Sequence, residues 1–129
     1  MIENRPLHEE CHMNTRCSQY ETCPITIFHR IISGKWKILI LWYLSNKSLR
    51  FGELKRKLPD VTQRMLTNQL RSLEEDGLIV RKVYPVVPPK VEYSLSDIGK
   101  QMIPLLDAMY DYGVKYSKET GIIRVQMTE

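Results

Sequence analysis

No stretch of this 129-residue sequence stays apolar for long. The longest strongly apolar run, Ile38 to Leu44, falls far short of the ~20 residues a bilayer-spanning helix needs, and the chain begins polar and acidic, so neither a membrane span nor an export signal is expected. Cysteine is scarce too. Cys11, Cys17 and Cys23 form an odd set confined to the first part of the chain, unlike the disulfide framework of a secreted domain, so a cytoplasmic protein with thiols at rest is expected. Beyond residue 12 the only histidine is His29, about a turn and a half past Cys23 on the same helix, which gives a Cys–His nucleophile thin support. No glycine-rich phosphate loop, internal repeat or low-complexity tract is present, which removes nucleotide-loop enzymes, solenoids and linkers. His8, Cys11, His12, Cys17 and Cys23 hold enough nitrogen and sulfur for a tetrahedral metal site, but two cysteines five residues between them, twice, do not make the paired knuckle of a zinc finger. The expectation is no catalytic residue, no metal and no cofactor.

What the chain has is a 43% hydrophobic content, ample for the core of one domain, and a formal net charge of +4 that is compatible with a polyanionic partner without identifying one. Residues 1–22 are polar and lack a sustained apolar period, as in an arm or a loosely packed first helix; residues 23–116 carry the patterned domain, and 117–129 read as a tail.

Pro24 suits a first helical turn, and Ile27, Phe28, Ile31 and Ile32 recur at helical spacing until Gly34. Lys35 to Leu44 is apolar enough to be a buried pillar, with Lys35 and Lys37 at its exposed start and Trp36, Trp42 and Tyr43 in the core. Leu49 to Phe51 can form a short strand before Phe51, Leu54 and Leu58 mark a helix ended by Pro59. After an Asp60-Val61 turn, Thr62 caps a helix to about Asp76, where Gly77 offers a left-handed stop. Leu66, Leu70 and Leu73 share one face of it; Arg64, Thr67, Asn68 and Arg71 share the other, with Gln63 at the flank. Leu78 to Tyr84 and Val91 to Leu95 pair as a hairpin around a proline-rich tip, and Ser96 caps a last helix that Pro104 kinks or splits.

That order is a mainly helical α+β fold, a winged helix-turn-helix with additional N- and C-terminal helices for dimerisation. In such a fold the Thr62 to Asp76 helix enters the major groove of double-stranded DNA and the hairpin is the wing, with Lys90 near its tip within reach of a phosphate or the narrower groove.

The chain resembles the HxlR-type regulators, bacterial relatives of the MarR group. The resemblance rests on Cys23-Pro24, Gly34-Lys35-Trp36-Lys37, Leu49-Arg50-Phe51-Gly52-Glu53-Leu54, Met65-Leu66-Thr67-Asn68-Gln69-Leu70 and Pro88-Pro89-Lys90-Val91-Glu92-Tyr93-Ser94-Leu95, in order, across roughly Cys23 to Tyr116. It implies a homodimeric transcription regulator, mostly a repressor, with the cysteine matching Cys23 answering an oxidant or electrophile in some members. Here the arm before Cys23 is longer than in many members and carries two further cysteines.

Each reading has a plainer competitor. The DNA-contact set is Arg50, Gln63, Arg64, Thr67, Asn68, Arg71 and Lys90; the competitor is an ordinary solvated surface, and for Arg50 an ion pair with Glu53. Cys23 beside a helix start gains thiolate character from the helix dipole; the competitor is a buried, inert thiol. Leu105, Leu106 and Met109, with Ile27 and Ile31, suit either a two-fold interface or burial within the chain. The alternative function is a winged helix that docks proteins and not DNA.

Overall fold

Pro24 opens the first helix described in a computed structural model of the protein, which covers residues 22–122; residues 1–21 of the expected arm, including Cys11 and Cys17, lie outside the described residues. Helix α1 is Pro24–Ile32 and α2 is Lys37–Leu44. Along α2, Lys37, Ile40, Leu41 and Leu44 point inward at the i, i+3, i+4, i+7 spacing of one helical face. Strand β1, Leu49–Arg50, leads directly into α3, Phe51–Lys57, whose start is secured by Glu53 accepting the Arg50 backbone N–H at 2.8 Å. Leu58 and Val61 are buried on either side of Pro59-Asp60, so the turn to the next helix is held by its own apolar ends.

Helix α4, Gln63–Glu75, begins with Thr62 Oγ1 accepting the Met65 N–H at 3.1 Å. It ends in a two-bond cap: Gly77 N–H reaches Glu74 O and Leu78 N–H reaches Leu73 O, both at 3.0 Å, with Gly77 at φ +79. A side chain at Gly77 is strained by that left-handed backbone, whereas glycine adopts it freely. Strands β2, Ile79–Tyr84, and β3, Lys90–Leu95, form the expected hairpin, and β1 adds on the far side of β3 to give an antiparallel sheet in the order β1-β3-β2. Pro104 splits the C-terminal segment: α5 is Asp97–Lys100, and α6, Ile103–Thr120, starts with that proline in its first turn. The fold is thus a mainly helical one with a small sheet, as expected. Among the described residues no helix is long and apolar enough to cross a membrane.

The core is one cluster in which Ile40, Leu41, Leu54, Leu66, Leu70, Leu73 and Leu106 are fully enclosed. Two expectations need correction here. Lys37 is not at an exposed helix start; it is only 6% exposed, and its ammonium donates to Ser72 Oγ of α4 at 2.7 Å. Helical phase decides this, since Lys37 shares the stripe of Ile40 and Leu41. Trp36, Trp42 and Tyr43 are half-buried at the edge of the core and not within it, and the Trp42 ring stacks on Tyr110 of α6 at 5.2 Å and 6°.

Ser96 ties three elements together. Its Oγ donates to Gly77 O at 2.6 Å and accepts Gly99 N–H at 3.1 Å, while its own N–H bonds Leu78 O at 3.0 Å. Gly99 is buried here, and a Cβ at that position would run into the Leu78 carbonyl, a backbone atom that cannot swing aside. Gly99→Ala is therefore expected to destabilise the fold by about 1–3 kcal/mol, the range for overpacking a tight contact. Urea unfolding checks this; an unchanged midpoint contradicts the close approach.

Candidate nucleic-acid interface

Because Leu66, Leu70 and Leu73 turn inward, α4 necessarily presents its polar side to solvent. Gln63, Arg64, Asn68 and Arg71 are exposed there, and Thr67 is half-buried. No hydrogen bond or ion pair to another described residue holds the Arg64, Asn68 or Arg71 side chains. Thr67 differs: its hydroxyl donates to the Gln63 backbone carbonyl at 2.9 Å, a bond back into its own helix that occupies its only proton. The cap residue Thr62 and the buried Leu58 and Val61 fix where this face begins.

The wing supplies a second polar surface, sorted by register. Arg50 pairs with Glu92, Lys82 with Glu92, and Tyr84 with Lys90, so Arg50, Lys82, Tyr84, Lys90 and Glu92 share one face of the sheet. There Glu92 gathers the local charge: Lys90 Nζ lies 3.3 Å from one carboxylate oxygen and the Tyr84 hydroxyl donates to the other at 3.1 Å. The ammonium groups of Lys82 and Lys90 lie 4.9 and 4.8 Å from the Tyr84 ring centre. Lys90, expected from the sequence as an outstretched cation, is thus partly neutralised. Arg50 is exposed, and the Glu53 carboxylate that might have paired with its side chain accepts its backbone N–H instead. Neither Glu92 nor Tyr84 was singled out by the sequence, because their importance arises from cross-strand pairing.

Both α1 and α6 leave apolar residues uncovered. Helix α1 has no buried residue, Ile25 is 74% exposed, and of the 18 residues in α6 only Leu106 is buried. Tyr112 and Tyr116 are exposed, and an open groove of about 350 Å³ between α2 and α6 is lined by Leu39, Trp42, Met109 and Tyr110 among others.

Cys23 occupies the position just before α1, with the Ile27 N–H bonded to its carbonyl at 2.9 Å. It is disulfide-bonded, which corrects the expectation of resting thiols; Cys11 and Cys17 lie outside the described residues. Composition speaks to the usual redox compartment, whereas a bond depends on two sulfurs being brought together by the fold. Among the described residues no group of His, Cys, Asp or Glu could hold a metal ion.

The Glu92 carboxyl titrates below its ordinary range, chiefly because Lys90 hydrogen-bonds its charged form; desolvation opposes this as the next strongest effect, and the Tyr84 hydroxyl and the charges of Lys90 and Arg50 add to the lowering. Lys90→Met should therefore move that pKa upward, as read by carboxyl-carbon NMR; an unmoved titration contradicts the Lys90–Glu92 pairing.

The model of the HxlR-like helix-turn-helix family matches residues 31–121. An HTH-type transcriptional regulator of Methanothermobacter thermautotrophicus is 51% identical over 94 residues, 73% of this chain and 72% of that protein. The HTH-type transcriptional regulator YdeP of Bacillus subtilis is 50% identical over 97 residues, 75% of this chain and 76% of that protein. Among solved structures, the redox regulator HypR in its oxidized form superimposes with a TM-score of 0.69 at 44% identity, covering 72% of this chain and 96% of that one.

Proposed function

From the premise that this chain belongs to the HxlR-like helix-turn-helix family of transcriptional regulators, we propose that it is a homodimeric, sequence-specific repressor whose α4 reads the major groove of double-stranded DNA. The observation that carries this reading is the polar face of α4: exposed side chains able to donate to base edges and phosphates, on a helix seated by three leucines and preceded by a short, apolar-anchored turn. Gln63 and Asn68 are the base readers, since amides match the paired donor and acceptor of adenine; Arg64, Arg71 and Arg50 serve phosphates. Thr67 contributes through its methyl group and accepting lone pairs, its proton being engaged. Lys90 is a weaker contact, because it must share its charge with Glu92.

The second copy of the chain covers the apolar surface of α1 and α6. Burial of Ile25, Ile27, Leu105 and Met109 would yield roughly 25 cal/mol for each Å² removed from water, a gain not available within one chain. Two-fold symmetry then places the two α4 helices on one face of the duplex about 34–36 Å apart.

Footprinting tests the reading. Two inverted half-sites one helical turn apart are expected, and Gln63→Ala or Asn68→Ala should erode preference for that site over random DNA by about 1–3 kcal/mol. Protection of one unpaired half-site, or equal losses on both DNAs, overturns the assignment.

Cys23 makes the same protein responsive to oxidants. Two thiols give up two protons and two electrons to an acceptor such as diamide, whose N=N bond becomes a hydrazine, and the product is a disulfide at the start of α1. The bonded state of Cys23 and the likeness to a redox regulator support this reading. Because α1 belongs to the surface proposed for dimerisation, a covalent change at its start alters the spacing of the reading helices. Diamide is expected to weaken operator binding by the wild type, reversibly with reductant, and to leave Cys23→Ser unaffected; full affinity after proven oxidation of Cys23 overturns the switch.

A further inference from the structure

An open polar notch of about 350 Å³ lies between α4 and the wing, lined by Thr67, Arg71, Glu74, Arg81 and Tyr93. Its walls follow from two registers. Thr67, Arg71 and Glu74 stand at i, i+4 and i+7, one stripe of the helix. Arg81 is directly opposite Tyr93 across the β2–β3 pair, so the two project from the same face of the sheet. This is the face of Ile79 and Leu95, both buried in the core, and the reverse of the face that carries Lys82, Lys90 and Glu92. Arg81 is therefore a charged residue at an inward-alternating position, and it remains exposed because the notch opens to solvent beside it.

Nothing within the described residues occupies these cations. The salt bridge found there, Lys90 to Glu92, is on the opposite face, and neither Arg71 nor Arg81 has an ion pair or a ring contact. Glu74 lines the notch yet lies beyond salt-bridge distance of both. Two guanidinium groups against one carboxylate leave the notch net positive. Thr67 has already spent its proton on Gln63, so the donors open to a ligand are mainly the planar forks of the arginines, whose geometry matches phosphate oxygens.

We propose that this notch seats one phosphodiester of the DNA backbone, gripped by Arg71 from the reading helix and Arg81 from the wing strand. The proposal rests on the DNA-binding reading above and adds to it a contact residue, Arg81, together with a mechanical role. One phosphate held by both elements locks the angle between α4 and the hairpin as the helix enters the groove. The contact is independent of sequence, since every nucleotide carries the same phosphate.

The test is a salt series of fluorescence anisotropy on a short random-sequence duplex, using the full chain and variants with unchanged thermal midpoints. Arg81→Gln is expected to flatten the slope of log affinity against log salt by up to about 0.9, the contribution of one phosphate. The double variant Arg71→Ala/Arg81→Gln should flatten it by no more than that, because both charges neutralise the same group. Arg81→Lys, which keeps the charge should the glutamine variant fold poorly, should retain most of the slope. An unchanged slope in Arg81→Gln overturns the proposal, as does a double-variant loss near twice one phosphate, which would mean two separate contacts. If inorganic phosphate at matched ionic strength raises the thermal midpoint of wild type but not of Arg81→Gln while their duplex binding is equal, the notch takes a free anion and the proposal fails. A wild type that binds no duplex at low salt overturns the DNA-binding reading itself, a result distinct from each of these.

Discussion

Three leucines on one side of α4 set the geometry on which the remaining surface depends. Leu66, Leu70 and Leu73 are enclosed against the core that α2 builds with Ile40 and Leu41, and Lys37 adds a directed bond from α2 to Ser72 of the same helix. Apolar burial is strong but not directional, so by itself it permits α4 to slide or roll by part of a turn. The Lys37–Ser72 hydrogen bond and the Thr62 cap remove that freedom at different points along the helix. The polar residues on the outer side then face solvent in a fixed order.

The same logic of alternation governs the wing, with sharper consequences. In a strand, neighbouring residues point to opposite faces, so Arg81 and Lys82 are adjacent in sequence yet act in different places. Arg81 meets α4 across the notch, and Lys82 joins Lys90, Tyr84 and Glu92 on the reverse. A one-residue slip in pairing would exchange these sets and place Ile79 and Leu95 in solvent. Their burial thus fixes the register, and through it the position of every charge on the hairpin.

The exposed apolar residues of α1 and α6 answer to a different requirement. Within one copy of the chain α1 buries nothing fully and α6 buries one residue, while Trp42 and Tyr110 stack at the margin of an open groove. Cys23 stands at the start of α1, so the proposed redox response and the proposed subunit contact fall on one element. Under the function proposed above, the separation of the two reading helices would change while the residues proposed to touch DNA stay as they are.

Much of this was legible in the residues themselves. The period-3.6 leucines of α4, the caps Thr62 and Ser96, the stops at Pro59 and Gly77 and the alternation of β2 and β3 each carry local signals of element type, and their order specifies a winged helix. Those signals act within a few residues of chain, which is why sequence alone determined the elements and the polar face of α4. Contacts between distant segments carry no such signal. Lys37 meets Ser72 across 35 positions, Ser96 meets Gly77 across 19, and Arg81 lies with Arg71 only because a hairpin packs on a helix. The pairing of Lys90 with Glu92 and Tyr84, which tempers an apparently free cation, likewise depends on strand register. Tertiary structure alone decided which charges stand open to a ligand, because electrostatic partnership falls off with distance in space and takes no account of distance along the chain.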